Sequence, residues 1–441
     1  MQVLFELIKK IADFIWGPHM LVFILGSGLY FSFRLKGIQF SQFLLALKSV
    51  FTSGKTVGEG NITSHQALMS ALSGIIGNGN IAGVATAIAV GGPGAVFWMW
   101  MSALPLMATM YSESLLGFLY RRKDEDGTFL GGPMVYIQKA LRWKWLAVSF
   151  AFFMALKTLL ATTSIQSNSM SIVLNSQFNI PHLYSCILIA FLTWLVIIGG
   201  LKTIARTAEV LAPFMTLFYI FGGLVVIFLN AVNLGAVISE IFTYAFTTKG
   251  VVGGFAGASM LMALRYGAAR GAYSNEAGTG SVAIMHATAR TNDPRRQSLI
   301  AMMGVFIDTI LCTITALVIL TAGTWTGDLN STALTSASFS TKFVHGHWIV
   351  LGASLLFGYS TLITWCFYGE QSAAFLFGDK IKKSYRWLFC LAILVGATPD
   401  AEKIWSMGDL FNGMTVIINL IGIVALSSVV VRFTFNSKWR K

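Results

Sequence analysis

The chain has 441 residues, 55% of them hydrophobic and 11% charged, with a mean hydropathy of +0.71. A soluble domain carries about 25% charged residues, so a soluble globular protein is excluded and an integral membrane protein is implied. Lys and Arg outnumber Asp and Glu by 31 to 18, but the excess falls in short loops between apolar runs rather than in a basic stripe interleaved with aromatics, which argues against nucleic acid as a partner.

A bilayer core about 30 Å thick takes roughly 20 apolar residues per helix, which predicts about eleven transmembrane helices. They fall near 14–33, 63–90, 94–119, 146–174, 183–200, 208–230, 252–290, 298–323, 347–375, 385–398 and 405–431. The first run has no small-residue cleavage site after it and reads as a retained span. Residues 1–62 therefore hold an N-terminal transmembrane helix and a cytoplasmic amphipathic segment, 63–432 a ten-helix core, and 433–441 a cytoplasmic basic tail. Cys186, Cys312, Cys366 and Cys390 lie in apolar stretches without CxxC spacing, so no disulfide framework or zinc site is expected.

Two spans are anomalous. The stretch 63–90 is interrupted by Gly77-Asn78-Gly79-Asn80, and 252–290 is about twice the needed length, with glycines at 253, 254, 257, 267, 271, 278 and 280. Both read as discontinuous helices. They are the first and sixth of the ten core spans, so they head two sets of five. Because five is odd, the second set runs with opposite topology, an inverted repeat of the kind that places a transporter's substrate at its broken helices. Of the 31 Lys and Arg, the loops on one face carry the large majority if the N-terminus is outside, which predicts an outer N-terminus and a cytoplasmic C-terminus.

An unwound backbone in hydrocarbon survives only where it is buried in protein or lines a cavity. At a break over 77–80 the amides of the second half-helix suit a carboxylate. The carbonyls ending the first half suit an ammonium group or a small cation, and Asn80 can add a side-chain oxygen to either. The same geometry predicts a sodium site from the carbonyls of Ser73 and Ile76 and the hydroxyls of Ser360 and Thr361.

The runs Gly77-Asn78-Gly79-Asn80-Ile81-Ala82-Gly83, Phe97-Trp98-Met99-Trp100 and Ser274-Asn275-Glu276-Ala277-Gly278 resemble the alanine/glycine:cation symporter family over roughly residues 60–432. The resemblance implies a leucine-transporter-like fold, transport of alanine or glycine with sodium, and a prokaryotic plasma (inner) membrane location. It also implies that Gly77, Asn78 and Gly79 bind the carboxylate beside Asn80. Gln166, a second break at Gly267–Gly271 that includes Ala268, and Thr361 and Trp365 would complete the pocket, with Trp365 restricting the side chain to something small. Gly253–Gly257 is the alternative place for that second break.

Ionisable residues inside spans cost about 2.5–3.5 kcal/mol each at mid-helix, so each needs a partner or water. Glu113, Lys157, Arg270 and Glu276 are expected on the inner half as a charged inner gate. Asp308, about ten residues into its helix, is the candidate for a second cation site or a proton-coupling carboxylate. No HExxH, GxSxG or paired His/Asp cluster occurs, so no enzyme activity and no cofactor beyond the coupling ion are expected. The expected function is sodium-driven import of a small neutral amino acid, alanine or glycine, D-alanine included. Proton coupling is the alternative, and a channel or facilitator the third reading. The expected partners are that amino acid, sodium and the lipid bilayer, with a monomer as the simplest unit.

Overall fold

The computed structural model describes residues 2–52, 58–246, 260–398 and 401–436. It is all-α, 83% helical. In chain order the principal helices are α1 (Gln2–Ile15), α2 (Pro18–Arg34), α3 (Phe43–Phe51), α4 (Ser64–Ile75), α5 (Val84–Gly91), α6 (Gly94–Leu119), α7 (Lys144–Leu156), α8 (Thr163–Phe178), α9 (His182–Ile197) and α10 (Leu201–Leu229). There follow α11 (Leu234–Phe246), α12 (Met260–Asn275), α13 (Ser281–His286), α14 (Pro294–Ala322), α15 (Ser331–Ser340), α16 (His347–Phe377), α17 (Ile381–Ile393), α18 (Ala401–Ala425) and α19 (Ser427–Phe435). A two-stranded antiparallel hairpin, β1 (Arg122–Lys123) with β2 (Phe129–Leu130), follows α6. Among the described residues six helices are long and apolar enough to cross a membrane, and α4 with α5 makes a seventh crossing as a bent pair. Such a chain is a multi-pass membrane protein.

Helix ends follow local chemistry. Thr63 and Gln66 form a reciprocal capping box at the start of α4, and Asp293 caps α14 through the Arg296 amide, with Pro294 in the first turn. α4 then ends where Ile76 turns extended, with ψ 103°. A π-helical turn over Gly79–Gly83 starts the second half, and the two halves bend by 52°. The Asn80 side chain accepts the Gly77 amide at 3.0 Å, doing the work of the carbonyl that the lost helical turn would have supplied.

The second break lies elsewhere than the sequence suggests. Gly267 and Gly271 sit inside the continuous helix α12, and the chain leaves helical geometry only at Glu276, Gly278 and Gly280, with φ of 59°, 89° and 80°. The glycines at 267 and 271 serve packing instead: a Cβ at Gly267 would lie 2.2 Å from the Ala95 carbonyl oxygen, and one at Gly271 3.0 Å from Ser102 Oγ. Both targets belong to α6, and small residues let the two backbones close together. The alternative at Gly253–Gly257 lies outside the described residues. A third irregularity is a π-helical stretch, Lys157–Thr162, joining α7 to α8. Such bulges often occur at functional sites.

Candidate substrate and cation site

The three irregular backbones converge. A cavity of about 60 Å³ is lined by Gly74, Gly77, Asn78 and Gly79 at the first break, by Tyr273, Ser274 and Glu276 at the second, by Lys157, Thr162 and Gln166 from the π-bulged helix, and by Thr361 and Trp365 of α16. Nothing stands within 4 Å of where a Gly79 Cβ would be, so the backbone faces open space there. Asn78 is fixed on both sides: its amide donates to Gln166 Oε1 at 3.0 Å, and Ser354 donates to its Oδ1 at 2.7 Å. The Trp365 indole donates to the Gly74 carbonyl at 3.1 Å, which pins that ring against the end of α4. Ala268 and Gly271 do not line the cavity. Because α12 runs on to Asn275, Tyr273 and Ser274 occupy the place expected of them.

Beside the cavity, oxygens gather at the end of α4. The Ser73 carbonyl accepts from Ser360 Oγ at 3.2 Å and from Thr361 Oγ1 at 3.4 Å, and the Ile76 carbonyl from Thr361 Oγ1 at 3.3 Å. Ser360 Oγ also reaches the Phe357 carbonyl at 3.0 Å. Thr361 belongs both to this cluster and to the cavity wall. Typical O–H···O bonds are about 2.7–2.8 Å, so the three contacts to α4 are long.

Asn80 faces away from the cavity. Its Nδ2 donates to Asp308 Oδ1 at 2.6 Å, and Ser274 Oγ donates to the same oxygen at 2.9 Å. Asp308 is fully buried on α14 and so ties the first break to the last turn of α12. Cys312, one turn along, touches both Asn80 and Ser274 at 3.4 Å.

The ionisable residues expected at an inner gate divide. Lys157 Nζ lies 3.6 Å from Glu276 Oε2, 2.6 Å from Asn412 Oδ1 and 4.1 Å from the centre of the Trp365 ring. Its long side chain thus reaches the cavity wall. Glu113 Oε2 accepts from the Gly278 amide at 3.2 Å and from Asn419 Nδ2 at 2.8 Å, and Tyr136 donates to Asn419 Oδ1. These contacts join α6, the second break and α18. Arg270 is not part of this network. With the break at 276–280, it falls in the opposite half of the span, about 9 Å before Glu276 at 1.5 Å per residue, in a separate cavity with Trp16, Arg265 and Asp409. Glu370, another buried acid, is held by Arg386 through two bonds of 2.6 and 2.8 Å. Sequence reading missed Asn412 and Asn419. Their spacing of seven, two helical turns on one face, was the available signal.

Comparison with known proteins shows the family and the fold. A model of the sodium:alanine symporter family matches residues 1–440. The sodium/alanine symporter AgcS of Methanococcus maripaludis is 41% identical over 439 residues, covering 97% of this chain and 96% of that protein. The probable sodium/glutamine symporter GlnT of Bacillus subtilis is 36% identical, covering 98% and 90%. A crystal structure of MhsT in complex with L-phenylalanine is 13% identical but aligns with a TM-score of 0.59 over 86% of this chain and 99% of that one, which shows a shared fold of the leucine-transporter type. The protein is therefore a transporter and not an enzyme, and the chain belongs to the sodium:alanine symporter family.

Proposed function

We propose that this protein is a sodium-coupled symporter that imports a small neutral amino acid, alanine or glycine, by alternating access around the two helix breaks. Its architecture on this reading is one extra N-terminal span and a five-plus-five inverted repeat, eleven spans in all. The N-terminus is outside and the C-terminus cytoplasmic. The observation that carries the reading is the sharing of Thr361 between the solute cavity and the oxygen cluster at Ser73, Ile76 and Ser360. An ion held there stiffens the wall that the solute touches, so each ligand raises the affinity for the other.

Geometry supports both ligands. Oxygens about 2.4 Å from a hard cation and at right angles about it stand about 3.4 Å apart, the separation already present between the hydroxyls and the Ser73 and Ile76 carbonyls. A cation would replace those long hydrogen bonds with little movement. On the solute side, the amides of Asn78 and Gly79 at the start of the second half-helix suit a carboxylate. The cavity is small, about 60 Å³, and Trp365 forms part of its wall, which favours a small solute. Lys157, Glu276 and Glu113 close the inner side.

A second reading, proton coupling, is favoured by one observation: Asp308 is buried and bonded by one residue from each break, Asn80 and Ser274. The deciding experiment is uptake of labelled alanine into proteoliposomes under inward gradients of sodium, lithium, potassium or protons. Accumulation driven by sodium alone supports the first reading. Accumulation with protons alone, abolished by Asp308→Asn, supports the second. Flux indifferent to every gradient rejects symport in favour of a facilitator.

A further inference from the structure

Trp16 lies at the turn between α1 and α2, outside the helices that line the solute cavity. Yet it is built into them. Its indole donates to the Asp409 carbonyl of α18 at 2.8 Å, and its ring centre lies 6.2 Å from that of Tyr273. The neighbouring Ile15 wedges against α18, its Cγ2 2.3 Å from where a Gly413 Cβ would sit. Trp16 and Tyr273 both line a second cavity of about 130 Å³, with Arg265, Arg270 and Asp409 also in its wall. Tyr273 lines this cavity and the central one alike, so its ring is the partition between them. It also stands three residues before the second break, where a swing of α12 would carry it aside.

We propose that Trp16 is a gate residue supplied from outside the core: braced by α18, it holds Tyr273 across the path between the central cavity and the face that carries the N-terminus. Tyr273 moves only when the Trp16 ring gives way. α1 therefore sets how readily the carrier opens to that face, and loosening the Trp16–Asp409 bond favours opening. This inference rests on the central cavity being the solute site, as proposed above, but its test does not depend on transport.

The test uses the full chain with a single added cysteine, either Thr162→Cys in the central cavity or Ala269→Cys in the second cavity. The four native cysteines are buried, so the parent protein gives the background. A membrane-impermeant methanethiosulfonate is applied to the face that carries the N-terminus, and the labelling rate is compared with Trp16 intact, Trp16→Phe and Trp16→Ala. Trp16→Phe keeps the bulk and removes the donor, and is expected to speed labelling of Thr162→Cys roughly fivefold, the scale of one net hydrogen bond. Trp16→Ala removes the ring as well and is expected to speed it more than roughly tenfold. Ala269→Cys, already on the near side of Tyr273, should label at one rate in all three backgrounds. An unchanged rate at Thr162→Cys overturns the proposal, and so does an equal rise at both cysteines, which is general loosening. Should Trp16→Ala not reach the membrane, Trp16→Phe decides alone. A protein without sodium-driven uptake that still shows the selective rise at Thr162→Cys would reject symport and leave the gate standing.

Discussion

The hydroxyl of Thr361 reaches the Ser73 and Ile76 carbonyls, so its oxygen and its shape can be tested apart. Thr361→Val keeps the shape and removes the oxygen. It is expected to raise the sodium concentration for half-maximal uptake at least about tenfold, while Thr361→Ser shifts it less than about threefold, as sodium titrations of uptake would read. This oxygen cluster was legible in the sequence because its parts are local: a glycine-asparagine break that frees carbonyls, and a Ser-Thr pair on an apolar helix. The partners of the buried charges were less so. Lys157 finds Asn412 and Glu113 finds Asn419, contacts that span 255 and 306 residues of chain and depend on how α18 packs.

At the scale of elements, glycine carries two meanings that spacing alone does not separate. Gly79 faces the cavity, whereas Gly267 lets α12 touch the backbone of α6. Gly79→Ala is therefore expected to leave thermal stability within about 0.5 kcal/mol while cutting alanine uptake severely, and Gly267→Ala to destabilise by about 1–3 kcal/mol through overpacking. Thermal unfolding in detergent beside uptake checks both. The same ambiguity displaced the second break in sequence reading and took Arg270 with it. The hairpin after α6 offers a pH test. Lys382 Nζ stands 2.7 Å from Asp126, 2.9 Å from Asp379 and 3.7 Å from Asp124. Burial pushes the Asp126 carboxyl up, but the Lys382 bond and charge, with the Thr128 amide, outweigh it and hold the group below its usual range. A lowered folded value stabilises docking above the unfolded value, near 4, and that contribution is lost as the pH falls through the folded one. Burial and Asp379 push Asp124 the other way, so Asp126 is the acid-labile contact. Protection factors of the 122–130 amides should stay high above about pH 5 and fall below about pH 4, and Lys382→Ala should make them low throughout.

For the whole molecule, the proposed topology rests on where the basic loops fall. A tag at the N-terminus is expected to be reached by antibody on intact cells, and one at the C-terminus only after permeabilisation; the reverse pattern would reject the proposed orientation. The membrane class and the first break are local properties of composition and glycine placement, which is why the sequence shows them. The joining of both breaks through Asp308, and of α6 to α18 through Glu113, are properties of the closed molecule alone.

Those long-range pairings also set a clock on assembly. Lys157 and its Asn412 acceptor are 255 residues apart, and Lys382 and Asp126 are 256 apart. At a synthesis rate of about 5–20 residues per second, roughly 13 to 50 s pass between the making of the two members of each pair. Throughout that interval the nascent first half carries a cationic side chain destined for the protein interior and a hairpin whose Asp126 still lacks its Lys382 partner. A chain that stops short of α18 never supplies the amide, so the N-terminal half leaves the ribosome as a client for insertion machinery or proteolysis, not as a smaller carrier.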